Sequence, residues 1–268
     1  MIFKRVVVIS DPHCGHKLGL THPDFDARPN NTQSRDYKAW RVRRKCYKWY
    51  EGKCEELKPV DVLIINGDAV DGKGSKSGGT EQLTSDRTEQ VDMAAALIQM
   101  WDAKNIVMSH GTSYHTGRDE DWEDHIFKHR WLEDRMRKIG GHDTVSINGV
   151  VFDYKHHIGK SSIPHGRFTA LAREHLWNQL WALRGEYPEA QIIIRSHVHY
   201  HVYCGDTDWL AVITPALQAY GSKFGARIPS GTVDYGLLHF DVTDKGDWSW
   251  QSHILRFKDN KRAHLLEL

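Results

Sequence analysis

An α/β fold is what the sequence predicts, and three observations predict it. Short β-branched apolar runs, VVVIS at 6–10 and VLIIN at 62–66, are continuous rather than alternating, so they read as strands buried on both faces. Stretches with helical spacing of apolar residues separate such runs. Each run stops abruptly in polar residues, at the strand ends where α/β sheets carry their working side chains.

Taken in order, residues 3–10 form a first strand ending in Asp11-Pro12-His13. Residues 19–33, rich in Pro, Asn, Asp and Thr, read as a long loop, after which Ser34 caps a helix running to about Leu57. A second buried strand spans 60–65 and ends in Asn66-Gly67-Asp68. A Gly/Ser/Lys-rich loop over 72–84 leads to an amphipathic helix from Asp86 to about Ala103, with Met93, Ala94, Leu97 and Trp101 as its apolar face. Residues 105–109 are a third strand, followed by the loop His110-Gly111-Thr112-Ser113-Tyr114-His115. Residues 120–139 are strongly charged and predict a helix stopped by Gly140-Gly141. A hairpin over 144–154 pivots on Asn148-Gly149 and runs into His156-His157. Residues 170–185 predict a helix carrying Leu171, Leu176, Leu180 and Leu183, with Trp177 and Trp181 read as core; a strand over 191–195 then ends in Ser196-His197-Val198-His199. The stretches 209–214, 235–242 and 249–257 alternate like antiparallel strands.

The totals bound the function. A chain of 268 residues can bury a substantial core, and it reads as a single domain over 1–268 with helical insertions at about 19–58 and about 116–140. Thirty-six Lys and Arg against 35 Asp and Glu leave a net charge of +1, which does not favour a nucleic-acid partner. The basic stretch of Arg41, Arg43, Arg44, Lys45 and Lys48 is interleaved with Trp40, Tyr47, Trp49 and Tyr50 and would suit a nucleic-acid backbone; a helix with its aromatic stripe on the core is the plainer explanation. Cys14, Cys46, Cys54 and Cys204 have no CxxC spacing, which argues against a disulfide framework and a thiolate metal site. With no signal-peptide pattern and no apolar run of spanning length, the expectation is a cytoplasmic chain with no membrane partner.

Five strand-like segments each end in metal-ligand side chains: Asp11/His13, Asp68, the 110–115 loop, His156/His157 and His197/His199. One such pair is common in turns, but its ordered recurrence is not. Imidazole and carboxylate donors suit manganese, iron and zinc, and an ionised aspartate can bridge two cations. Asp68 is the natural bridge. Of His156 and His157, only one can point inward from a strand of period two, and His156 aligns better with a strand-end ligand.

These blocks resemble those of the calcineurin-like metallophosphoesterase superfamily. Asp11-Pro12-His13 with Gly15, Gly67-Asp68 with Asp71, and His197-Val198-His199 match three of its motifs, with Ser196 in place of a glycine. The resemblance implies a four-layer α/β/β/α sandwich of two mixed sheets with helices outside. It also implies two divalent metal ions, with Mn2+ expected and Fe, Zn or Ni as alternatives. Asp11, His13 and His199 would hold one ion, His197 and one histidine of the 156–157 pair the other, and Asp68 both. The third motif departs from the pattern: Gly111 is followed by Thr112 where an asparagine ligand is expected, and a histidine comes only at His115. Thr112 is read as lying near the metal, with His110 as the alternative, and His115 as the catalytic residue that protonates the leaving oxygen.

The implied activity is hydrolysis of a phosphodiester or phosphomonoester by attack of a metal-bridging hydroxide, with Asp68 and His115 central to catalysis. Within it, a DNA or RNA nuclease competes with a nucleotide or protein phosphatase. Lys160, His165 and Arg167, in GKSSIPHGRFT, are candidate contacts for substrate phosphate. A binding module that keeps the fold without catalysis, and a hydrolase holding one ion on the Asp11/His13 side, are the alternatives. The oligomeric state is not legible.

Overall fold

In the computed structural model, residues 3–117, 121–220 and 232–257 are described. The strands are β1 (Phe3–Ile9), β2 (Val62–Asn66), β3 (Asn105–Ser109), β4 (Met136–Gly140), β5 (Asp143–Ile147), β6 (Val150–Tyr154), β7 (Ile192–Arg195), β8 (Val202–Gly205), β9 (Leu210–Ile213), β10 (Tyr235–Thr243) and β11 (Trp248–Leu255). The helices are α1 (Arg35–Leu57), α2 (Arg87–Gln99), α3 (Ser113–Thr116), α4 (Glu123–Phe127) and α5 (Pro164–Leu183).

The strands form two sheets, ordered β11-β10-β1-β2-β3-β4 and β5-β6-β7-β9-β8. Both are mixed. In the first, β1, β2, β3 and β4 run parallel while β10 is antiparallel to β1 and to β11. In the second, β6, β7 and β9 are parallel and β5 and β8 are antiparallel edges.

Alternation within the strands builds four layers. Val6, Val8, Ile64 and Val107 of the first sheet meet Phe152, Ile192, Ile194 and Val212 of the second in one dry core. Phe152 and Phe240 cross it edge to face, with centroids 5.3 Å apart. The intervening residues Val7, Ile9, Leu63 and Ile65 face the other way, onto Tyr50 and Cys54 of α1 and Met93 and Leu97 of α2. Ile193, Ala211 and Ile213 likewise pack on Ala170 and Leu171 of α5. Helices therefore cover both outer faces, as expected for strands with no polar face.

Local signals account for the helix starts. The Ser34 hydroxyl accepts from Tyr37 N at 3.0 Å, and the Asp86 carboxylate accepts from Thr88 N and Glu89 N. The hairpin turn at Asn148-Gly149 has φ of 49° and 88°, the primed geometry that matches strand twist.

Three expectations need correcting. The helix read over 120–139 is mostly absent: Glu120 lies outside the described residues, α4 is five residues long, and Met136–Gly140 is a strand beside β3. Charge spacing along a sequence does not distinguish a helix from an edge strand that needs only a few inward residues. The stretch 209–214 contains β9, which pairs parallel with β7 as well as antiparallel with the unanticipated β8. Trp177, read as core, is exposed and Trp181 only partly buried, and of the helix's leucines Leu171 is buried while Leu176, Leu180 and Leu183 are exposed. No described helix is long and apolar enough to cross a membrane.

Candidate metal centre

The parallel strands of both sheets end on the same side, and their tips bring the predicted ligands together. Asp11, His13 and His199 form one group whose ligand atoms lie within 4.8 Å of one another, and Asp68, His156 and His197 form a second. Asp68 lies between them, with Oδ2 at 3.0 Å from His156 Nε2 and 3.9 Å from His13 Nε2.

The backbone is strained to achieve this convergence. Seven non-glycine residues among those described have positive φ, and five are Asp11, His13, Asp68, His197 and His199. Each costs on the order of 1–3 kcal/mol, and such conformations persist where the surroundings over-determine them, typically at functional sites. Here they turn each chain sharply off its strand so that alternate side chains point into one cleft.

Distances between donors test whether a cation fits. His13 Nε2 and His199 Nε2 are 3.2 Å apart, and Asp11 Oδ1 is 3.1 Å from His199 Nε2. Ligands about 2.0–2.1 Å from a tetrahedral ion are separated by roughly 3.3 Å, so these atoms are spaced as ligands are. Among the described residues, Asp11 Oδ1 and His156 Nε2 are buried without a well-aligned hydrogen bond, despite ion-pair neighbours at 3.1 and 3.0 Å, a costly state that a cation would relieve. The donor set fits divalent ions with nitrogen and oxygen preference, such as manganese, iron or zinc.

The ligand loops are held from behind. His13 Nδ1 is 2.8 Å from Asp71 Oδ1, and Asp71 Oδ2 accepts from Gln82 Nε2 at 2.6 Å, which leaves His13 Nε2 toward the cleft. Thr112 N donates to Asp68 Oδ1 at 2.6 Å, leaving Oδ2 as the shared atom. Glu123 on α4 accepts from Ala69 N and Gly111 N at 2.7 and 2.6 Å, joining the Asp68 loop to the 110–112 loop. A Cβ on Gly111 would lie 2.2 Å from Asp68 N and Oδ1, so only glycine fits there. Beneath the cleft, a buried chain runs from Ser10 through Thr214, Ser196 and Asn66 to Ser109, with links of 2.6 to 2.8 Å. It ties the tips of both sheets. Ser196, which replaces the motif's glycine, is its central link.

Of the remaining candidates, Thr112 Oγ1 sits 3.3 Å from Asp68 Oδ2 and 3.2 Å from His197 Nδ1, inside the second group. His110 turns away to Asp124, at 3.0 Å. His115 Nδ1 lies 3.1 Å from both the backbone oxygen and Oδ1 of Asp71, and its ring meets His13 edge-on at 4.6 Å. His156 is buried, whereas its neighbour His157 is exposed and packs its ring against His197 at 4.7 Å, outside both groups. Arg167 stacks over Tyr200 at 4.0 Å, beside His199. Lys160 and His165 are exposed, and no hydrogen bond, ion pair or ring contact ties His165 to the cluster among the described residues. On α1, Arg43 is buried and bonded twice to Asp26, and Tyr47 and Tyr50 are core. Sequence reasoning assigned no role to Glu123, Gln82 or Asn66. Only Asp71, three residues after Asp68, carried a readable signal.

Electrostatics sharpen the site. Burial opposes ionisation of Asp11 and Asp68, but the imidazoles of His199 and His156 beside Asp11, and of His156 and His13 beside Asp68, hold both well below the usual carboxylate range. Burial would lower His156, yet Asp68 and Asp11 lift it to about 9, and hydrogen bonds to Asp11 and Asp71 likewise lift His13. Burial and the neighbouring His156 lower His197 to about 4, so it is neutral and ready to coordinate at pH 7.

A pH dependence follows. Below pH ~9 the metal-free site keeps a proton on His156 that a metal ion must displace, so apparent affinity rises with pH up to that value. Binding at pH 7.5 is expected to release about one to two protons, read by calorimetry in buffers of different ionisation enthalpy. Zero protons released would mean that the imidazoles are already neutral. For the metal-free fold the sign is the opposite: the raised His156 contributes stability present below the unfolded value of ~6.5 and lost as pH rises through about 9.

No protein-family model matches the chain, and no curated protein matches it in sequence. Solved structures do match in fold. A structure described as a novel archaeal phosphodiesterase is 14% identical, with 93% of this chain and 99% of that one covered and a TM-score of 0.45. Purple acid phosphatase from yellow lupin (Lupinus luteus) seeds is 12% identical, over 94% of this chain and 52% of that one, with a TM-score of 0.49. Vps29 of Entamoeba histolytica, complexed with Zn2+, is 10% identical over 93% and 98%, with a TM-score of 0.42.

Proposed function

We propose that this chain, which has the calcineurin-like metallophosphoesterase fold, is a hydrolase of phosphoester bonds that works with two divalent ions, manganese foremost. The observation that carries the reading is the pair of adjacent groups, Asp11/His13/His199 and Asp68/His156/His197, each built from imidazole and carboxylate donors, with Asp68 Oδ2 3.9 Å from His13 of the first. Asp11, His13 and His199 would hold one ion, His156 and His197 the other, and Asp68 both, with the Thr112 hydroxyl beside the second. Two such ions supply activation of water and neutralisation of phosphate charge.

The chain's own residues supply the rest. Asp71 orients His13 and holds His115 through Nδ1, which leaves His115 Nε2 free to carry a proton toward a leaving oxygen. Arg167, braced on Tyr200, is the phosphate contact; Thr232 Oγ1 accepts from it at 3.3 Å.

The direct test is manganese-dependent hydrolysis of bis-p-nitrophenyl phosphate and p-nitrophenyl phosphate, with metal counted per chain. Turnover of either ester with two ions bound supports the reading, and turnover with one ion bound would favour the single-ion hydrolase. No turnover, with less than one ion per chain, would sink it in favour of a binding module. Replacing His115 by Ala separates the proton donor from the metal site. Turnover of an ester with an alkyl leaving group is expected to fall by about 10²–10³-fold, and that of a p-nitrophenyl ester by less than ~10-fold, because nitrophenolate leaves without a proton. Equal losses on both would remove His115 from that role.

A further inference from the structure

The outer helix α5 carries a row of apolar side chains on the side away from its sheet. Ala170, Leu171 and Asn178 turn toward the sheet and are buried. On the opposite side, pointing to solvent, stand Leu176 (55% exposed), Leu180 (40%) and Leu183 (85%), flanked by Trp177 (46%). A solvated helix face carries charges instead. Trp177 and Trp181 stack on each other at 5.8 Å, so the tryptophan is held in place along the edge of the leucine row.

We propose that this face of α5 is the interface with a second copy of this chain, packed antiparallel about a twofold axis at the level of residue 178. Three features favour that occupant. The exposed positions 173, 176, 180 and 183 follow the alternating three- and four-residue spacing of a helix–helix seam, and the spacing is symmetric about 178. An axis there sets Leu176 against the partner's Leu180 and Arg173 against the partner's Leu183, so one surface is its own complement. Charge agrees as well: Arg173, exposed and without an ion pair among the described residues, comes to the carbonyl end of the opposing helix, near a Glu186 that in its own chain is held 2.9 Å from Arg184. In area, the three leucines and Trp177 present on the order of 500 Å2. Across both partners that is about 1,000 Å2, the low end for a specific interface and the size of a weak homodimer.

The interface lies on the layer behind the second sheet, so dimerisation leaves the metal cleft open. The test is sedimentation equilibrium on the full chain at concentrations up to ~100 μM, enough to populate a weak homodimer with a Kd of about 10 μM. Wild type should sediment at twice the chain mass of 30.9 kDa. The double substitution Leu176→Glu with Leu180→Glu, on solvent positions that the fold does not need, should keep the far-ultraviolet circular dichroism of wild type and weaken association at least ~100-fold. Arg173→Glu alone should weaken it about 10-fold, and adding Glu186→Arg should restore it. A wild type that stays monomeric at ~100 μM, or a dimer that survives both glutamates, would overturn the interface. Failure of the charge exchange to restore association would overturn the antiparallel register.

Discussion

Asp68→Asn should abolish phosphoester hydrolysis, by roughly 10³-fold or more, while leaving the fold intact. The change is isosteric, and its remaining oxygen can still accept from Thr112 N, which donates to Asp68 Oδ1 at 2.6 Å in the native chain. What disappears is the charge between the two ligand groups, at 3.0 Å from His156 and 3.9 Å from His13. Charge stabilisation at a metal centre contributes several kcal/mol, and each 1.36 kcal/mol is about tenfold in rate. Asp68 is also the largest influence raising His156, so the imidazole of the variant should titrate lower than about 9, visible by proton NMR of the metal-free protein. Turnover within tenfold of wild type, with two ions still bound, would mean that the two ions do not share this carboxylate.

Arg195→Met should have the largest effect on stability, about 3–5 kcal/mol, the usual scale for removing one member of a buried ion pair. Arg195 is fully buried at the end of β7, with NH1 2.6 Å from Asp153 Oδ1 and Nε 2.8 Å from Glu174 Oε2. Its removal leaves Asp153, also fully buried, with His142 at 2.9 Å and Asn178 at 3.2 Å as its side-chain partners among the described residues. Because Ser196 and His197 follow directly, the second ligand group should loosen too, and the variant should lose affinity for one ion before the other. Urea unfolding at pH 7 measures the cost, and adding Asp153→Asn should recover part of it. A cost below ~1 kcal/mol would mean that water reaches the cluster once the guanidinium is gone.

How far the site was readable depends on the kind of residue. Asp11, His13, Asp68, His197 and His199 stood out because a strand that must be apolar on both faces ends abruptly, and the polar residues at that end have few structural reasons to be there. Side-chain period said only that one of His156 and His157 could point inward; His156 is buried and His157 exposed. Glu123 gave no such sign. It lies in a charged stretch that reads as a helix of twenty residues, and its partners, Ala69 N and Gly111 N, are backbone groups 54 and 12 residues away in sequence. Trp177 of α5 misled for a related reason, since apolar spacing of 3.6 shows that a helix has an apolar face but not which way that face points.

By itself, the sequence determined the buried strands, the caps of α1 and α2, the hairpin turn and the order of the ligand blocks, because each depends on neighbours within a few residues. Tertiary structure alone decided that β4 is a strand, that β9 lies beside β7, that Asp71, Gln82 and Glu123 brace the ligands, and that α5 presents leucines to solvent. Those outcomes rest on contacts between segments from about ten to more than fifty residues apart, where the free energy comes from packing and from buried hydrogen bonds rather than from local propensity.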